Sequence, residues 1–314
     1  MRALITGATG QDGSYLSELL LQKGYEVYGM FTQRATPSTR NVDHLPELKL
    51  LKGDLTDQGS IDAIMKESEP DEVYNLGAQS FVKSSWDIPE YTGNVNALGT
   101  LRVLDAIRKY SPYARFYQAS TSEMFGQVQE VPQKETTMFY PRSPYGVAKL
   151  YAHWMTINYR ESFGMHASCG ILFNHESPRR GEHFVTRKIA LAAARISQKK
   201  QHELVLGNLD PQRDIGHAKD YVRAMWLMLQ QDDPDDYVIA TGETHSIEEM
   251  VQVCFEYVNL DWKDYVRQDE EFMRPAEVNL LVGDPSKAKE KLSWEPEYTW
   301  KEILQEMIDV EMKK

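Results

Sequence analysis

Tyr145 and Lys149 have the side chains and the spacing needed to move a proton to or from an alcohol. They lie in a segment that we predict to be helical, where a separation of four residues puts both side chains on one face. A nearby ammonium favours the phenolate and lowers a tyrosine pKa from about 10 toward neutrality. Such a tyrosine can accept a proton from an alcohol while a cofactor accepts the hydride. Because this spacing often arises by chance, the pair alone carries little weight.

A glycine-rich loop near the start of the chain strengthens that interpretation. Gly7, Gly10 and Gly13 follow the apolar run 3–5, and their Gly-x-x-Gly-x-x-Gly spacing is a variant of the dinucleotide-binding fingerprint. The first glycine permits a sharp turn, the second lets backbone N–H groups approach a pyrophosphate, and the third lets the next helix lie close to the sheet. That helix begins near Asp12, and its positive end would face the phosphates. A glycine-rich turn that binds no ligand is the alternative.

The elements around these motifs predict an α/β fold with a doubly wound parallel sheet. Strand-like apolar runs alternate with helix-like segments, as is typical of βαβ units that cover both faces of a sheet. The predicted strands are residues 3–5, 25–31, 48–51, 72–76 and 115–119, and the predicted helices include 60–68 and 96–109. Ligands of such sheets bind at the carboxyl ends of the strands. Candidate site residues fall at these ends: Asp54 and Leu55; Leu76, Gly77 and Ala78; and 120–123.

Composition narrows the class of protein further. The 314 residues carry a formal net charge of −12, which argues against a protein built on nucleic-acid contacts. No apolar run is long enough to span a membrane, and the chain opens on a predicted strand instead of a secretion signal, so we expect no membrane partner. Cys169 and Cys254 are interpreted as core residues of a cytoplasmic protein in a reducing compartment. We find no Cys/His spacing typical of a metal site and predict no metal.

An acidic chain needs a local basic cluster to bind a phosphate, and one begins near residue 174. Its members, which could singly be solvated surface charges, are Arg179, Arg180, Arg187, Lys188, Arg213 and Arg274. Helix-like segments follow at 218–230, 246–257 and 300–312, with short strands at 204–206 and 237–240. We therefore predict a dinucleotide-binding domain over residues 1–173 and a smaller substrate-binding lobe over 174–314. Some strands of the second part are expected to return to the large sheet.

The chain resembles the extended short-chain dehydrogenases/reductases, and within that group the GDP-mannose 4,6-dehydratase family. The broader group shares the glycine loop and the Tyr-x-x-x-Lys pair, whereas the run NHESPRRG (174–181) is more specific. The resemblance implies a Rossmann-type doubly wound sheet with a smaller C-terminal α/β lobe. The segments that carry it span nearly the whole chain: TGATGQDGSYL (6–16), YNLGAQS (74–80), FYQASTSEMFG (116–126), YPRSPYGVAKL (140–150), ILFNHESPRRG (171–181), FVTRK (184–188), GNLDPQRDIGHAKDY (207–221) and RPAEV (274–278).

The resemblance implies a lyase that uses a tightly bound NADP without consuming it. Members oxidise the C4 hydroxyl of the sugar of a GDP-sugar, eliminate water across C5 and C6, and return the hydride to C6. Tyr145 would accept the C4 hydroxyl proton, Lys149 would lower the tyrosine pKa and contact the nicotinamide ribose, and Thr121 would hydrogen-bond the same sugar oxygen. Glu123 would remove the C5 proton and protonate the departing C6 hydroxyl; a capping or salt-bridging carboxylate is the alternative. Ser122 stands where dTDP-glucose dehydratases carry an aspartate acid.

The resemblance also assigns binding residues position by position. Cofactor contacts are expected from Gly7, Thr9, Gly10, Gln11, Asp12 and Gly13; from Thr32, Gln33 and Arg34; from Asp54 and Leu55 on adenine; from Leu76, Gly77, Ala78, Gln79, Ser80 and Tyr91 on the nicotinamide half; and from Tyr145, Lys149, His175 and Arg180. Substrate contacts are expected from Ser80, Thr121, Ser122, Glu123, Tyr145, Asn174, Lys188, Gly207, Arg213, Arg274 and Glu277. For His175, a buried histidine with satisfied hydrogen bonds is an alternative of nearly equal weight. A homodimer or homotetramer is implied, in which neighbouring subunits share the region of the 2′-phosphate.

One departure from the family bears on the choice of cofactor. Members usually read Arg-Arg-Ser-Ser after the second strand, and those arginines bind the 2′-phosphate of NADP. This chain reads Thr32, Gln33, Arg34, Ala35, with Arg40 further along. No acidic residue closes the second strand to bind a ribose 2′-hydroxyl, which disfavours NAD. NADP therefore stays the expected cofactor, with Arg34 as the candidate phosphate ligand.

Three functions remain open at this point. The first is a GDP-mannose 4,6-dehydratase, and the second is a dehydratase of a larger GDP-sugar such as a GDP-manno-heptose, which would keep every catalytic residue. The third is a net oxidoreductase or epimerase on a nucleotide sugar that uses Tyr145 and Lys149 but turns over free cofactor. Glu123 favours a dehydratase, because a simple reductase needs no base at C5. The product would feed deoxysugar biosynthesis, of which GDP-fucose is one example.

Overall fold

The computed structural model describes residues 1–32, 38–272 and 276–314. Its strands are β1 (Arg2–Thr6), β2 (Glu26–Phe31), β3 (Lys49–Lys52), β4 (Glu72–Asn75), β5 (Arg115–Thr121), β6 (Ala167–Leu172), β7 (Asn174–Glu176), β8 (Leu204–Leu206), β9 (Gln212–Arg213), β10 (Ile215–His217), β11 (Tyr237–Ile239), β12 (His245–Ser246), β13 (Val266–Gln268) and β14 (Leu280–Leu281). Its α-helices are α1 (Gln11–Gln22), α2 (Gln58–Ser68), α3 (Ser84–Asp87), α4 (Pro89–Gly93), α5 (Gly99–Tyr110), α6 (Pro144–Phe163), α7 (Val185–Ser197), α8 (Ala218–Gln230), α9 (Ile247–Tyr257), α10 (Ser286–Leu292) and α11 (Trp300–Met312).

The central sheet is parallel, with the strand order β11-β6-β5-β4-β1-β2-β3. Strand β1 lies between β4 and β2, so the direction in which the chain builds the sheet reverses beside β1. Side chains of β1 alternate between two cores: Ala3 and Ile5 pack with helices α1 and α8, and Leu4 packs with α2 and α5 on the other face. The predicted doubly wound parallel α/β sheet is confirmed.

The predicted elements agree closely with the observed ones, with one informative difference. The helices predicted at 218–230 and 300–312 are α8 and α11 with the same bounds, and the strand predicted at 204–206 is β8. The helix predicted at 96–109 instead starts with a π-helical turn, Asn94–Leu98, before α5. In this turn Asn96 exchanges two hydrogen bonds with the backbone of Gln79, at 2.8 and 2.9 Å. The irregular start thus fixes the loop that follows β4.

Residues beyond 174 contribute to two regions of the structure. Helices α7, α9 and α11 surround a core of their own, and short strands form the sheets β10-β7, β12-β9-β14 and β13-β8. Strand β11, however, pairs with β6 in the central sheet, and α8 packs in the same core as α1. The division into residues 1–173 and 174–314 stays a prediction. No helix in the described part of the chain is both long and apolar enough to cross a membrane.

Candidate active site

A buried polar network joins the carboxyl ends of β1 and β4 to the middle of the neighbouring strand β5. The Thr6 hydroxyl at the end of β1 donates to Asn75 Oδ1 (2.7 Å) and accepts from the Gly77 N–H (2.9 Å). Asn75, at the end of β4, donates in turn to Gln118 Oε1 of β5 (2.9 Å). Because a satisfied buried network is rigid, these bonds fix the strand ends relative to one another. They also fix the start of the loop 76–80.

The glycine loop has the tight geometry that the fingerprint predicts. Gly7 has a φ of 71°, and a Cβ built on it would lie 2.9 Å from Gly77 Cα. A Cβ on Gly13 would lie 2.4 Å from Gly7 O, so glycine is needed for α1 to approach the turn this closely. Gly10, the N-cap of α1, supplies no side-chain hydrogen bond to the first turn. Backbone N–H groups at this helix start therefore suit an anion such as a pyrophosphate.

Half-buried Asp12 and buried His175 form a pair beside this loop. His175 Nε2 lies 2.8 Å from Asp12 Oδ2, and Gln11 ties the two segments further by donating to His175 O (3.1 Å). Burial acts to lower the pKa of His175, but the Asp12 carboxylate outweighs it, so the pKa is raised. Burial acts to raise the pKa of Asp12, and the charge of His175 reverses that effect. His175 is therefore buried and hydrogen-bonded, as the structural alternative in the sequence analysis expected, and it also lines the cavity.

The start of helix α6 places the tyrosine and the lysine. The Ser143 hydroxyl caps the helix by accepting the Gly146 N–H (3.0 Å), and Pro144 occupies the first turn. Tyr145 follows in that turn and Lys149 one turn later, with 9% and 4% of their surfaces exposed. The predicted helical placement is confirmed, and both residues line one cavity.

The expected lowering of the Tyr145 pKa is wrong for this arrangement. Burial raises the pKa of Tyr145 to about 12; a hydrogen bond with Thr121 opposes this rise, and the charge of Glu123 adds to it. Lys149 does not offset the burial, because its ammonium donates to Ala119 O (2.9 Å) and lies 6.0 Å from the centre of the Tyr145 ring. Burial also lowers the pKa of Lys149 to about 8. The four-residue spacing correctly predicted the shared helix face. It could not predict the free-energy cost of removing both groups from water, which shifts both pKa values.

Thr121 and Glu123 line the same cavity as Tyr145, from the carboxyl end of strand β5. Thr121 ends β5, and its hydroxyl accepts the N–H of Glu123 (3.2 Å) in the 3-10 turn Ser122–Met124. This turn directs Glu123 into the cavity, where its carboxylate is close enough to affect the Tyr145 pKa. A hydroxyl, a carboxylate, a phenol and an ammonium therefore share one cavity. Together they can remove and return protons at adjacent atoms of one ligand.

One cavity of about 280 Å³ collects most of the predicted site residues. From the cofactor set it is lined by Asp12, Leu76, Ala78, Ser80, Tyr145, Lys149, His175 and Arg180. From the substrate and catalytic sets it is lined by Thr121, Ser122, Glu123, Asn174, Lys188, Gly207, Arg213 and Glu277. These residues come from the strand ends of the central sheet and from the C-terminal region. The cavity thus brings together residues that are more than 250 positions apart in sequence, such as Asp12 and Glu277.

Other predicted site residues lie outside the lining of this cavity. Leu55 is a core residue, and the Asp54 carboxylate accepts the N–H and hydroxyl of Thr56 (2.8 and 2.7 Å). Tyr91 is 49% exposed on α4, so its assignment to the nicotinamide half has no support from this geometry. The remaining ones are Gly7, Thr9, Gly10, Gln11, Gly13, Gly77, Gln79 and Thr32. Gln33, Arg34 and Arg274 fall outside the described residues.

The predicted basic cluster divides into two groups. Arg180, Lys188 and Arg213 line the cavity; Arg180 pairs with Glu176 (3.2 Å), and Arg213 donates to Glu277 (3.1 Å). Arg179 instead pairs with Glu18 and covers the ring of Tyr15. Arg187 is 2% exposed and donates to Met307 O (3.1 Å) at the contact between α7 and α11. The interpretation of Arg179 and Arg187 as ligand cations is therefore corrected: both serve packing and ion pairs away from the cavity.

Sequence reasoning missed an aromatic group in the cavity wall. Phe81, His183 and Phe184 contact one another with ring centres 4.5 to 5.5 Å apart, and all three line the cavity. Lys83 and Phe272 line it as well. The position of Phe81 and Lys83, directly after the loop 76–80, was the available signal. In the part of the chain that the structure describes, no group of three or more His, Cys, Asp or Glu residues is arranged to hold a metal ion.

Comparisons with known proteins agree with this geometry. Residues 4–307 match the family described as GDP-mannose 4,6 dehydratase. The chain is 52% identical to the GDP-mannose 4,6-dehydratase of Yersinia enterocolitica over 344 residues, covering 98% of this chain and 92% of the relative. In structure it is similar to the UDP-glucose 4-epimerase of Thermus thermophilus in complex with NAD (TM-score 0.87, 27% identity, 99% of both chains). It is also similar to the protein RMD of Pseudomonas aeruginosa complexed with NADPH (TM-score 0.83, 25% identity, 100% of this chain and 99% of the other).

The match to the family covers far more than the glycine loop and the tyrosine-lysine pair. It includes strands β4 to β7 and the C-terminal segments that complete the cavity. Identity near one half over almost the full length of both proteins is far above the level at which only a fold is shared. The chain therefore belongs to the GDP-mannose 4,6-dehydratase family.

Proposed function

We propose that the protein converts GDP-mannose to GDP-4-keto-6-deoxymannose, as a hydro-lyase with a tightly bound NADP. The observation that carries this proposal is the position of Glu123 in the same cavity as Tyr145, Lys149 and Thr121. A reductase or epimerase needs the hydroxyl chemistry of Tyr145 but no carboxylate at the neighbouring carbon. A dehydratase needs both.

Tyr145 and Thr121 are the residues that act on the C4 hydroxyl. Tyr145 must be a phenolate to accept the hydroxyl proton as the C4–H hydride leaves. Burial raises its pKa to about 12 in the protein alone, and the positive charge of an oxidised nicotinamide bound in the cavity would lower that pKa. The Thr121 hydroxyl, which is hydrogen-bonded to the Tyr145 oxygen, orients the same sugar oxygen. The nicotinamide, when bound, supplies the hydride acceptor and later the hydride donor. Lys149, held by Ala119 O, has further N–H donors for a ribose hydroxyl.

Glu123 carries the elimination. Once C4 is a ketone, the C5 proton is acidic, and the Glu123 carboxylate removes it. The resulting carboxylic acid protonates the C6 hydroxyl as its bond to carbon breaks, so that water leaves and a C5–C6 double bond remains. Loss of water has already returned Glu123 to its carboxylate. Hydride then returns to C6, and C5 receives a proton that balances the one Tyr145 took from the C4 hydroxyl, so that Tyr145 and the cofactor both end in their starting forms. Ser122, 2% exposed, has no acidic group to share this work.

The remaining assignments are part of the same proposal. Arg180, Lys188, Arg213 and Glu277 bind the nucleotide portions of cofactor and substrate, and their charges suit diphosphates and a guanine edge. We favour NADP over NAD, because no acidic side chain follows β2 at Thr32. The cofactor-binding domain is residues 1–173, and residues 174–314 form mainly the nucleotide-sugar lobe, except for segments such as α8 and β11 that return to the large domain. A GDP-manno-heptose would satisfy the same catalytic residues and is the second candidate substrate.

We further propose a cytoplasmic homodimer or homotetramer whose product serves deoxysugar biosynthesis, such as that of GDP-fucose. The support for self-association is an exposed apolar stripe on helix α6. Val147, Tyr151 and Trp154 are 56%, 39% and 55% exposed and border one surface groove. A second copy related by a two-fold axis would cover this stripe with the same stripe of its own.

The test is to incubate the purified protein with GDP-mannose, adding no cofactor, and to follow the sugar by mass spectrometry and NMR. The proposal expects loss of one water, a 4-keto and 6-methyl signature, and no net formation of NADPH. Turnover only when free NADP or NADPH is added would favour a net oxidoreductase. Inertness toward GDP-mannose together with turnover of a GDP-manno-heptose would support the second candidate.

A further inference from the structure

Two lysines from distant parts of the chain lie over one aromatic ring in the wall of the cavity. Lys83 precedes helix α3, and Lys188 belongs to α7. Their Nζ atoms are 5.2 and 4.4 Å from the centre of the Phe272 ring. All three side chains line the same cavity as Glu123 and Tyr145. Sequence reasoning assigned a ligand to Lys188 but none to Lys83 or Phe272.

Both ammonium groups are bound by neutral acceptors. Lys83 Nζ donates to Glu271 O (3.0 Å), and Lys188 Nζ donates to Val205 O (2.6 Å). Among the residues that the structure describes, neither has a carboxylate within 4.0 Å, and each ammonium has two further N–H donors. The two positive charges are therefore not neutralised locally, although the chain as a whole carries a net charge of −12.

The pair is unfavourable by itself. Burial and the positive charge of Lys83 both lower the pKa of Lys188. The face of the Phe272 ring attracts both cations, but such contacts are weak and leave the two charges unneutralised. An anion that contacts both ammonium groups would turn their mutual repulsion into two attractions. A diphosphate, with a negative charge on each phosphate, matches this arrangement in charge and in its number of acceptor oxygens.

We propose that Lys83 is a substrate-binding residue, which with Lys188 binds the diphosphate of the nucleotide sugar while Phe272 holds the two ammonium groups in place. The inference rests on the proposed function for the class of substrate and adds to it a contact from the N-terminal half of the chain. The negatively charged diphosphate would then hold three segments of the chain together: the loop after β4, which carries Lys83; helix α7, which carries Lys188; and the segment at Phe272.

The test compares the affinities of Lys83→Met and wild-type protein for GDP and for guanosine, by calorimetry. We expect the Kd of GDP to rise about tenfold, or about 1.4 kcal/mol, with guanosine unchanged and with most of the affinity retained in Lys83→Arg. Lys66→Met is the matched control, because Lys66 also covers an aromatic ring (Tyr110, 4.6 Å) but lies on α2, outside the cavity wall. Its affinities should equal those of the wild type.

Two results would overturn the proposal. An unchanged Kd for GDP in Lys83→Met would mean that Lys83 does not contact the diphosphate. An equal loss of affinity for GDP and guanosine would mean that Lys83 only holds the segment at Glu271 and Phe272. If the wild type binds another nucleoside diphosphate in place of GDP, the proposed substrate is wrong, and the same comparison with that nucleotide and its nucleoside still decides the role of Lys83.

Discussion

The imidazole of His175 lies between two hydrogen-bond acceptors, with Nε2 2.8 Å from Asp12 Oδ2 and Nδ1 2.8 Å from Phe173 O. A neutral imidazole carries only one N–H, so both contacts can be N–H donations only when the ring is protonated. Its face stacks on Tyr221 with ring centres 4.6 Å apart. With the ring protonated, an ion pair between buried His175 and half-buried Asp12 joins strand β7 to the first turn of α1, next to the glycine loop.

This pair makes stability depend on pH in a defined direction. The pKa of His175 is raised from 6.5, so its contribution is complete below that value and is lost as pH rises through the higher folded pKa. The pKa of Asp12 is lowered from 3.8, so its contribution is complete above that value and is lost as pH falls through the lower folded pKa. We expect His175→Asn to reduce the free energy of unfolding by on the order of 2 kcal/mol in mildly acidic solution, measured by urea unfolding.

The shape of the pH curve separates this ion pair from ordinary packing. In wild-type protein the advantage over His175→Asn should shrink as pH rises above 6.5, whereas a packing defect would leave the two curves parallel. Asp12→Asn removes the other partner and should abolish the same pH dependence. Parallel curves for wild type and both variants would show that His175 is neutral in the folded protein.

Tyr145→Phe tests the proton acceptor. The change removes only the hydroxyl, so bound cofactor should be retained while turnover falls by about 10²–10⁴-fold. Since burial raises the pKa of Tyr145 to about 12, the ligand-free protein should form no phenolate at this position near neutral pH. Near-ultraviolet difference titration of wild type against Tyr145→Phe measures this directly. A tyrosine that titrates near neutral pH only in the wild type would contradict the raised pKa of Tyr145. Normal turnover of the variant would contradict the catalytic role of Tyr145.

Glu123→Gln tests the assignment of the elimination. The amide keeps the size of the side chain but cannot accept the C5 proton, so oxidation at C4 should proceed and water loss should stall. We expect reduced cofactor to accumulate on the protein and product formation to drop by about 10²–10⁴-fold. Loss of deuterium exchange at C5 in heavy water gives an independent readout. Glu130→Gln is the control, because Glu130 pairs with Lys134 on the surface, outside the cavity wall; release of product by Glu123→Gln at the control's rate would reject the role.

The sequence was a better guide to the secondary-structure elements and to which residues form the site than to the pKa values of the site's ionisable groups. Alternation of apolar runs located the strands, and amphipathic spacing located α8 and α11, because both depend on periodicity alone. The pKa of Tyr145 was predicted in the wrong direction, since burial by distant segments is not encoded in a five-residue motif. Arg187 and Lys188 are adjacent in sequence, yet only Lys188 lines the cavity, because α7 packs on α11 with Arg187 at the contact. Lys83 belongs to no motif, and only its position directly after the loop 76–80 pointed to the cavity; its neighbours Lys188 and Phe272 are more than 100 positions away in sequence.

Trp154→Glu tests the proposed self-association through α6. A charge at Trp154, in the stripe formed with Val147 and Tyr151, would be buried unpaired in a two-fold interface, so the oligomer should dissociate. Light scattering should then report the monomer mass for the variant and a multiple of it for the wild type. Tyr113→Glu is the control, because Tyr113 is 97% exposed and does not border this groove. A wild-type protein that is monomeric at all concentrations would remove the basis for the interface.

Lys149→Met should make the protein more stable at neutral pH while it removes activity. Burial lowers the pKa of Lys149 from 10.5 to about 8, so between these values the unfolded chain binds more protons and stability rises with pH. Below pH 8 the folded protein bears the cost of a charged buried ammonium. Methionine has a similar shape and no charge, and after allowance for the lost hydrogen bond to Ala119 O the gain should be on the order of 2 kcal/mol. Urea unfolding of both proteins at neutral and at alkaline pH measures this gain, which should shrink as pH rises from 8 toward 10.5. A variant less stable than the wild type at neutral pH would show that the Ala119 contact outweighs the cost of burying the ammonium.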